Sequence, residues 1–353
     1  MKLKALNKKY QIALLVIAIM LIVSGVSYAY FAIVAKGTSN PQAISITFES
    51  NSTPKSTGST NGTYLTHPAF TFGTTELNGI WIGKFENGGS TTGIQIKPNI
   101  KSFYGLTLGD MFNAARNIEN NYASNYGINA STVDTHIIKN IDWGAVSYLS
   151  SSIYGRYDKT STCISSGCQV WINNVNTAAS GSYGSSITGC SGSSVGASTA
   201  NSMTACASGY DWSTLGVNAS TTGNTYGIYD MDGGDYEYVM GNMVNSSGNY
   251  NISSSTLSQP NSKYYDSYAY STASFDTFRG KLGDATKEIL KALNSYSGGW
   301  YNGSCYFPTD ATGVWFNRGC GYDTGSSGGL FNLGNITGGE KNFASTRVVI
   351  TAE

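Results

Sequence analysis

Residues 224–243 read NTYGIYDMDGGDYEYVMGNM, and no other stretch of the chain holds as much chemistry in so few positions. Asp230, Asp232, Asp235 and Glu237 surround a Gly233-Gly234 pair and are interleaved with Tyr226, Tyr229, Tyr236 and Tyr238. Asp232, Asp235 and Glu237, with the carbonyls that a glycine turn exposes, form a hard-oxygen set suited to Ca²⁺. The loop is no EF-hand, because counting from Asp230 puts Gly234 at the fifth position and Gly241 at the twelfth. The structural alternative has Asp230 and Asp232 bonding local amides while Glu237 anchors the loop in the core. A glycosidase acid and base would need two carboxyls roughly 5–10 Å apart across a cleft, a spacing sequence neighbours meet by accident.

Outward from this stretch, composition narrows the function classes. The chain has 353 residues, 43 of them Gly and 25 Tyr, and only 12% are charged, against roughly 25% in ordinary soluble domains. That is the profile of a loop-rich extracellular protein. No Lys/Arg cluster lies beyond the N-terminus, which argues against a nucleic-acid partner. Lys2, Lys4, Lys8 and Lys9 precede an apolar run from Ile12 to Val34, long enough to span a membrane. Residues 1–35 therefore read as a signal peptide, cleaved after Ser27-Tyr28-Ala29, or as an uncleaved membrane helix. Either way the remainder is expected on the outer face of the cell membrane or secreted.

All six cysteines, Cys163, Cys168, Cys190, Cys206, Cys305 and Cys320, lie in the exported part, which predicts up to three disulfides. Pairing of sequence neighbours (163 with 168, 190 with 206, 305 with 320) is the economical arrangement. A metal site is the competing reading, but no pair has C-x-x-C spacing and only His67 and His136 remain to complete a ligand set. Both histidines read as structural, His136 at a helix entry or on the surface, and no G-x-S-x-G elbow supports a serine hydrolase.

Residues 36–66, rich in Ser, Thr, Gly and Asn, read as a linker, and the fold is expected from His67 to 353. Short strands are predicted near 69–72 and 79–85. Thr107 with Asp110 three residues on predicts a capped helix over 108–123, with Met111, Ala114, Ala115 and Ile118 at helical spacing. Asp142 opens a second helix, with Trp143, Val146, Leu149 and Ile153 as its apolar stripe up to Gly155. Residues 156–223 hold four cysteines with little periodicity and read as a disulfide-stapled insertion. Asp284 caps a third helix over 284–294, and ASTRVVITA is a closing strand.

Four stretches, in order, resemble the formylglycine-generating-enzyme (sulfatase-modifying-factor) superfamily. GIYDMDGGDYEYVMGN is similar to its GLYDM.GNVWEW signature, IDWGAVSYLSSS to its tryptophan-bearing helix, Arg318-Gly319 in FNRGCGYD to RGGSW, and STRVVI to its terminal GFRVV. The resemblance covers about 67–351 and implies an α+β fold of the C-type-lectin-like kind, loop-rich, with short strands and about three helices. Similar domains occur in exported and phage-related proteins of Gram-positive bacteria. The departures are specific. Gly234 stands for the family's Asn, and Tyr236 and Tyr238 stand for its two Trp, leaving Glu237 unaltered. No cysteine follows Cys320, so the copper-binding pair of the oxidising enzymes cannot form, and two histidines cannot supply the three of the iron-dependent branch.

Attention therefore shifts to the tail, where Trp300, Tyr301, Trp315, Phe316, Tyr322 and Phe331 alternate with Asn302, Asn317, Asp323 and Asn332 in Gly-rich segments. Flat rings beside hydrogen-bonding amides suit binding loops. Tyr301, Asn317, Tyr322, Asp323 and Asn332 are expected to bind ligand, the last four more exposed, with Trp300 and Trp315 mainly core. The expected function is non-enzymatic adhesion to a glycan or surface protein, the membrane being reached through the N-terminal helix. The alternatives are a metal-dependent enzyme of the same superfamily and a structural surface or phage fibre-tip component.

Overall fold

The computed structural model describes residues 66–156, 169–177, 184–197, 210–289, 299–300 and 303–352, with the strands at 30–33, 43–47 and 201–202 and Cys206. The N-terminal apolar segment up to residue 29, most of the linker, Tyr301, Cys163 and Cys168 lie outside the described residues, as does the part beyond 289 of the helix expected over 284–294, whose described part holds a 3-10 turn, Lys287–Ile289.

The principal elements in chain order are β1 (Tyr30–Ile33), β2 (Ala43–Thr47), β3 (Gly79–Gly83), α1 (Leu108–Asn120), α2 (Ala123–Tyr126), β4 (Val133–Ile137), α3 (Asn140–Ser150), β5 (Tyr236–Met243), β6 (Asp266–Tyr268), β7 (Trp315–Arg318), β8 (Leu333–Ile336), β9 (Ala344–Ser345) and β10 (Val348–Ala352). They make a loop-rich mixture of helix and small sheets. One antiparallel sheet runs β1-β2-β3-β10-β4, so β10 pairs with both β3 and β4. A second runs β6-β5-β7-β8, with β9 beside the start of β5. Strands β1 and β2 fall in sequence read as apolar segment and linker. No helix among the described residues is long and apolar enough to cross a membrane.

Local chemistry explains the helices. Thr107 Oγ1 accepts the Asp110 N–H at 3.1 Å and the Asp110 carboxylate accepts the Thr107 N–H at 3.1 Å, a reciprocal cap that starts α1 where expected. Its buried face, Leu108, Met111, Phe112, Ala115 and Ile118, packs on β4. Helix α3 begins at Asn140, two residues before the expected start, because Asp142 caps from inside the first turn by accepting the Lys139 N–H at 2.9 Å. Ile153, placed on its apolar stripe, lies beyond the helix end and is exposed. The strand expected near 69–72 is present only at Thr71–Phe72; ahead of it lies a 3-10 turn, Pro68–Phe70, whose cap is His67, with Nδ1 accepting the Ala69 N–H at 3.2 Å.

One apolar core joins Phe70, Ile82, Phe85, Ile137, Trp143, Tyr229, Tyr238, Phe316 and Val348. A small satellite around Val175 and Ile187 encloses the Cys190–Cys206 disulfide in the insertion. Of the other expected pairs, 305 with 320 is corrected: both are free, buried thiols. Cys320 Sγ is directed instead at Asp232 Oδ1, 3.3 Å away.

Candidate functional site

The acidic stretch is built into the core. Asp230, at φ 62, accepts the Gly189 N–H at 2.9 Å and Asn173 Nδ2 at 2.8 Å, partners from the insertion and not the local amides expected. Asp235 Oδ2 accepts the Ser102 hydroxyl at 2.6 Å, its N–H donates to Glu86 Oε1 at 3.0 Å, and its Oδ1 has no partner. Glu237 pairs with Arg347, both side chains at 0% exposure. The expected calcium set therefore does not assemble: Asp232, one oxygen of Asp235 and Glu237 are engaged by a thiol, a hydroxyl and a guanidinium. No group of three or more His, Cys, Asp or Glu among the described residues could hold a metal ion.

Burial sets the electrostatics of this core. It pushes the Asp232 carboxyl up to about 8 and those of Asp230 and Asp235 to about 7. Glu86 is raised well above the usual range by burial and then by the charges of Asp235 and Glu237. Of these acids, only Glu237 has a buried cation bonded to it. All four acids of the turn are buried, at 2% exposure or less.

The tail forms a concave site. A cleft of about 600 Å³ opens over β7 and β8 and is lined by Asn317, Asp323 and Asn332 together with Tyr236, Ser304, Tyr306, Lys341 and Phe343. Three of the five expected ligand residues thus share one wall. Their exposure differs from expectation: Asn317 is 6%, Asn332 3% and Tyr322 4% exposed, and only Asp323 is open to solvent. The reason is register. Asn317 sits opposite Gly334 on β8, and its amide lies so close that a Cβ at 334 would meet Asn317 Oδ1 at 2.3 Å. Tyr322 leaves the cleft because its N–H donates to Gly234 O at 2.7 Å, tying the tail to the acidic turn. Trp315 is core as expected, whereas Trp300 is 37% exposed.

Two atoms in the cleft wall, Asn317 Oδ1 and Ser304 Oγ, are buried without a hydrogen-bond partner. Leaving such atoms unpaired costs about 1–3 kcal/mol each. A bound water or ligand relieves that cost. The Tyr236 ring meets Phe343 edge to face at 5.9 Å, and its hydroxyl lies 3.2 Å from Thr324 Oγ1, so an aromatic wall stands beside the amides.

His136 is neither at a helix entry nor on the surface. It lies on β4 at 0% exposure, stacked on Phe72 at 4.8 Å, and burial holds its imidazole at about 4. Glu86, Ser102, Ser304, Tyr306, Lys341 and Arg347 escape the sequence reading of the site. Only Arg347 carries a local signal, a lone cation heading the apolar run of STRVVI. Comparison of the chain with protein-family models and with curated proteins finds no match.

Proposed function

We propose that the chain is a non-enzymatic ligand-binding protein, held at or released from a cell surface, which takes a glycan or surface protein in the cleft of Asn317, Asp323 and Asn332. The observation that carries this reading is the pair of unpartnered buried atoms, Asn317 Oδ1 and Ser304 Oγ, set beside aromatic rings in a cleft of about 600 Å³. Pockets of this size with few placed polar groups are where small ligands and side chains of partners bind.

A C-type-lectin-like fold of the formylglycine-generating-enzyme kind belongs to the same proposal. In its support, the stretches that carry the resemblance meet in the core. Glu237 of the central signature pairs with Arg347 of STRVVI. Arg318 Nε donates at 2.7 Å to Asn140 Oδ1, one residue before IDWG. A signal or membrane anchor in the apolar segment ahead of Tyr30 supplies the surface location within this reading.

The test is a screen of the full chain against glycans and surface proteins, repeated with Asp323→Ala. This exposed residue has no role in the core, so the variant is expected to keep the parent stability within about 0.5 kcal/mol and to bind about tenfold more weakly. Stoichiometric copper or iron in the purified protein would overturn the reading in favour of an enzyme.

A further inference from the structure

We propose that the binding surface continues into a second groove, and that its ligand is a linear polysaccharide whose successive units occupy both. The proposal rests on the reading of the first cleft given above.

The second groove, of about 560 Å³, is lined by Gln95, Lys101, Ser102, Phe103, Tyr104 and Leu106. It shares a wall with the first. Leu106 of the second groove forms an antiparallel bridge with Lys341 of the first, and the Gly105 N–H donates to Lys341 O at 3.0 Å. Ser102, in the floor, holds Asp235, whose chain neighbour Tyr236 lines the first cleft. The two spaces thus meet at one strap, Gly105-Leu106 against Lys341.

Their chemistry repeats as well. Both linings combine tyrosine, side-chain amide and a single lysine: Tyr236 and Tyr306, Asn317, Asn332 and Asn335, and Lys341 in the first, Tyr104, Gln95 and Lys101 in the second. Tyr104 is 42% exposed, and Gln95 and Lys101 are exposed too. A sugar ring lays its C–H face on an aromatic ring and offers hydroxyls to amides. With one acid, Asp323, and one lysine, Lys341, in the first lining and one lysine in the second, there is too little positive charge for a polyanion. An extended peptide would recognise free backbone edges, but here the strap is already bridged, Lys101 to Ile187, Ser102 to Gly88 and Leu106 to Lys341. Recognition is left to side chains, which favours a glycan.

Calorimetry of the full chain with linear gluco-, chito-, xylo- and manno-oligosaccharides, as disaccharides and hexasaccharides, tests this. One series is expected to bind, its hexasaccharide about tenfold or more tighter than its disaccharide. Tyr104→Ala combined with Gln95→Ala should remove that gain and leave disaccharide affinity unchanged. A hexasaccharide no tighter than the disaccharide, or a gain that survives in the double variant, overturns the second groove while the first cleft stands. Failure of every saccharide, with a surface protein bound instead and weakened by Asp323→Ala, overturns the polysaccharide and leaves the first cleft's reading intact. Failure of saccharides and surface proteins alike overturns both.

Discussion

Glu237 and Arg347, 110 positions apart, share an ion pair at zero exposure, with Arg347 Nε 2.8 Å from Glu237 Oε2. The guanidinium also donates to Gly83 O at 2.8 Å and Tyr229 O at 3.1 Å, so one side chain ties β3, the acidic stretch and the start of β10 together. Removing one member of a buried pair strands the other charge, at about 3–5 kcal/mol. Glu237→Gln is expected to lose that much unfolding free energy in urea titration. Glu237→Leu with Arg347→Met should lose less than the sum of the single changes. Additive losses would show that the charges do not interact.

Stability should depend on pH in a direction unusual for carboxylates. Asp142 at about 6, Asp230 and Asp235 at about 7 and Asp232 at about 8 all lie above the unfolded value near 3.9. The folded state therefore binds more protons between about pH 4 and 8, and stability falls as pH rises through that window. His136 opposes this: held at about 4, it loses its share as pH falls from about 6.5. Four acids outweigh one base, so Tm should be higher near pH 5 than near pH 8, and Asp232→Asn should flatten the slope. Equal Tm at both would contradict the raised acids.

Restoring the asparagine of the resembled signature should harm this chain. Gly234 has φ +71, which asparagine tolerates, but a Cβ there would lie 2.2 Å from Glu86 Oε1, the oxygen that accepts the Asp235 N–H. Gly234→Asn and Gly234→Ala are both expected to cost about 2 kcal/mol or more by denaturant titration. A neutral asparagine would mean that backbone strain alone matters and that Glu86 yields.

The four described cysteines divide into two kinds. The Cys190–Cys206 bond spans 16 residues, a loop for which cross-linking is worth about 3 kcal/mol. Replacing both with alanine should lower Tm accordingly. Cys305, pushed up to about 11 by burial, and Cys320, which burial holds well above the ordinary thiol value, are both enclosed. Iodoacetamide at neutral pH should leave them untouched until the protein is unfolded, as read by peptide mass mapping. Alkylation of native Cys320 would contradict its enclosure.

What could be read from sequence is what depends on near neighbours. The Thr107–Asp110 cap and its apolar spacing are local, and α1 starts where they place it. The alternation of rings and amides in the tail is local too, and Asn317, Asp323 and Asn332 do reach one cleft. The calcium set fails because three adjacent acids look alike until Arg347, Ser102 and Cys320 claim one each. Pairing by sequence proximity succeeds for Cys190 with Cys206, within one loop, and fails for Cys305 and Cys320. Cys320 sits on the turn after β7, at φ 83, where its thiol meets Asp232. The opposition of Asn317 to Gly334 is a matter of strand register, which composition does not encode.

Strand β10 lies between β3 and β4, and the residue just ahead of it is the arginine that neutralises Glu237. A ribosome that has translated as far as residue 340 has made Glu86, Asp230, Asp235 and Glu237, yet neither the cation nor the central strand that lets them be buried. The nascent chain must wait, and contacts of such long sequence separation are slow to form. A chain cut back to residue 346 keeps Glu237 without its cation, and limited proteolysis is expected to open it faster than the full chain.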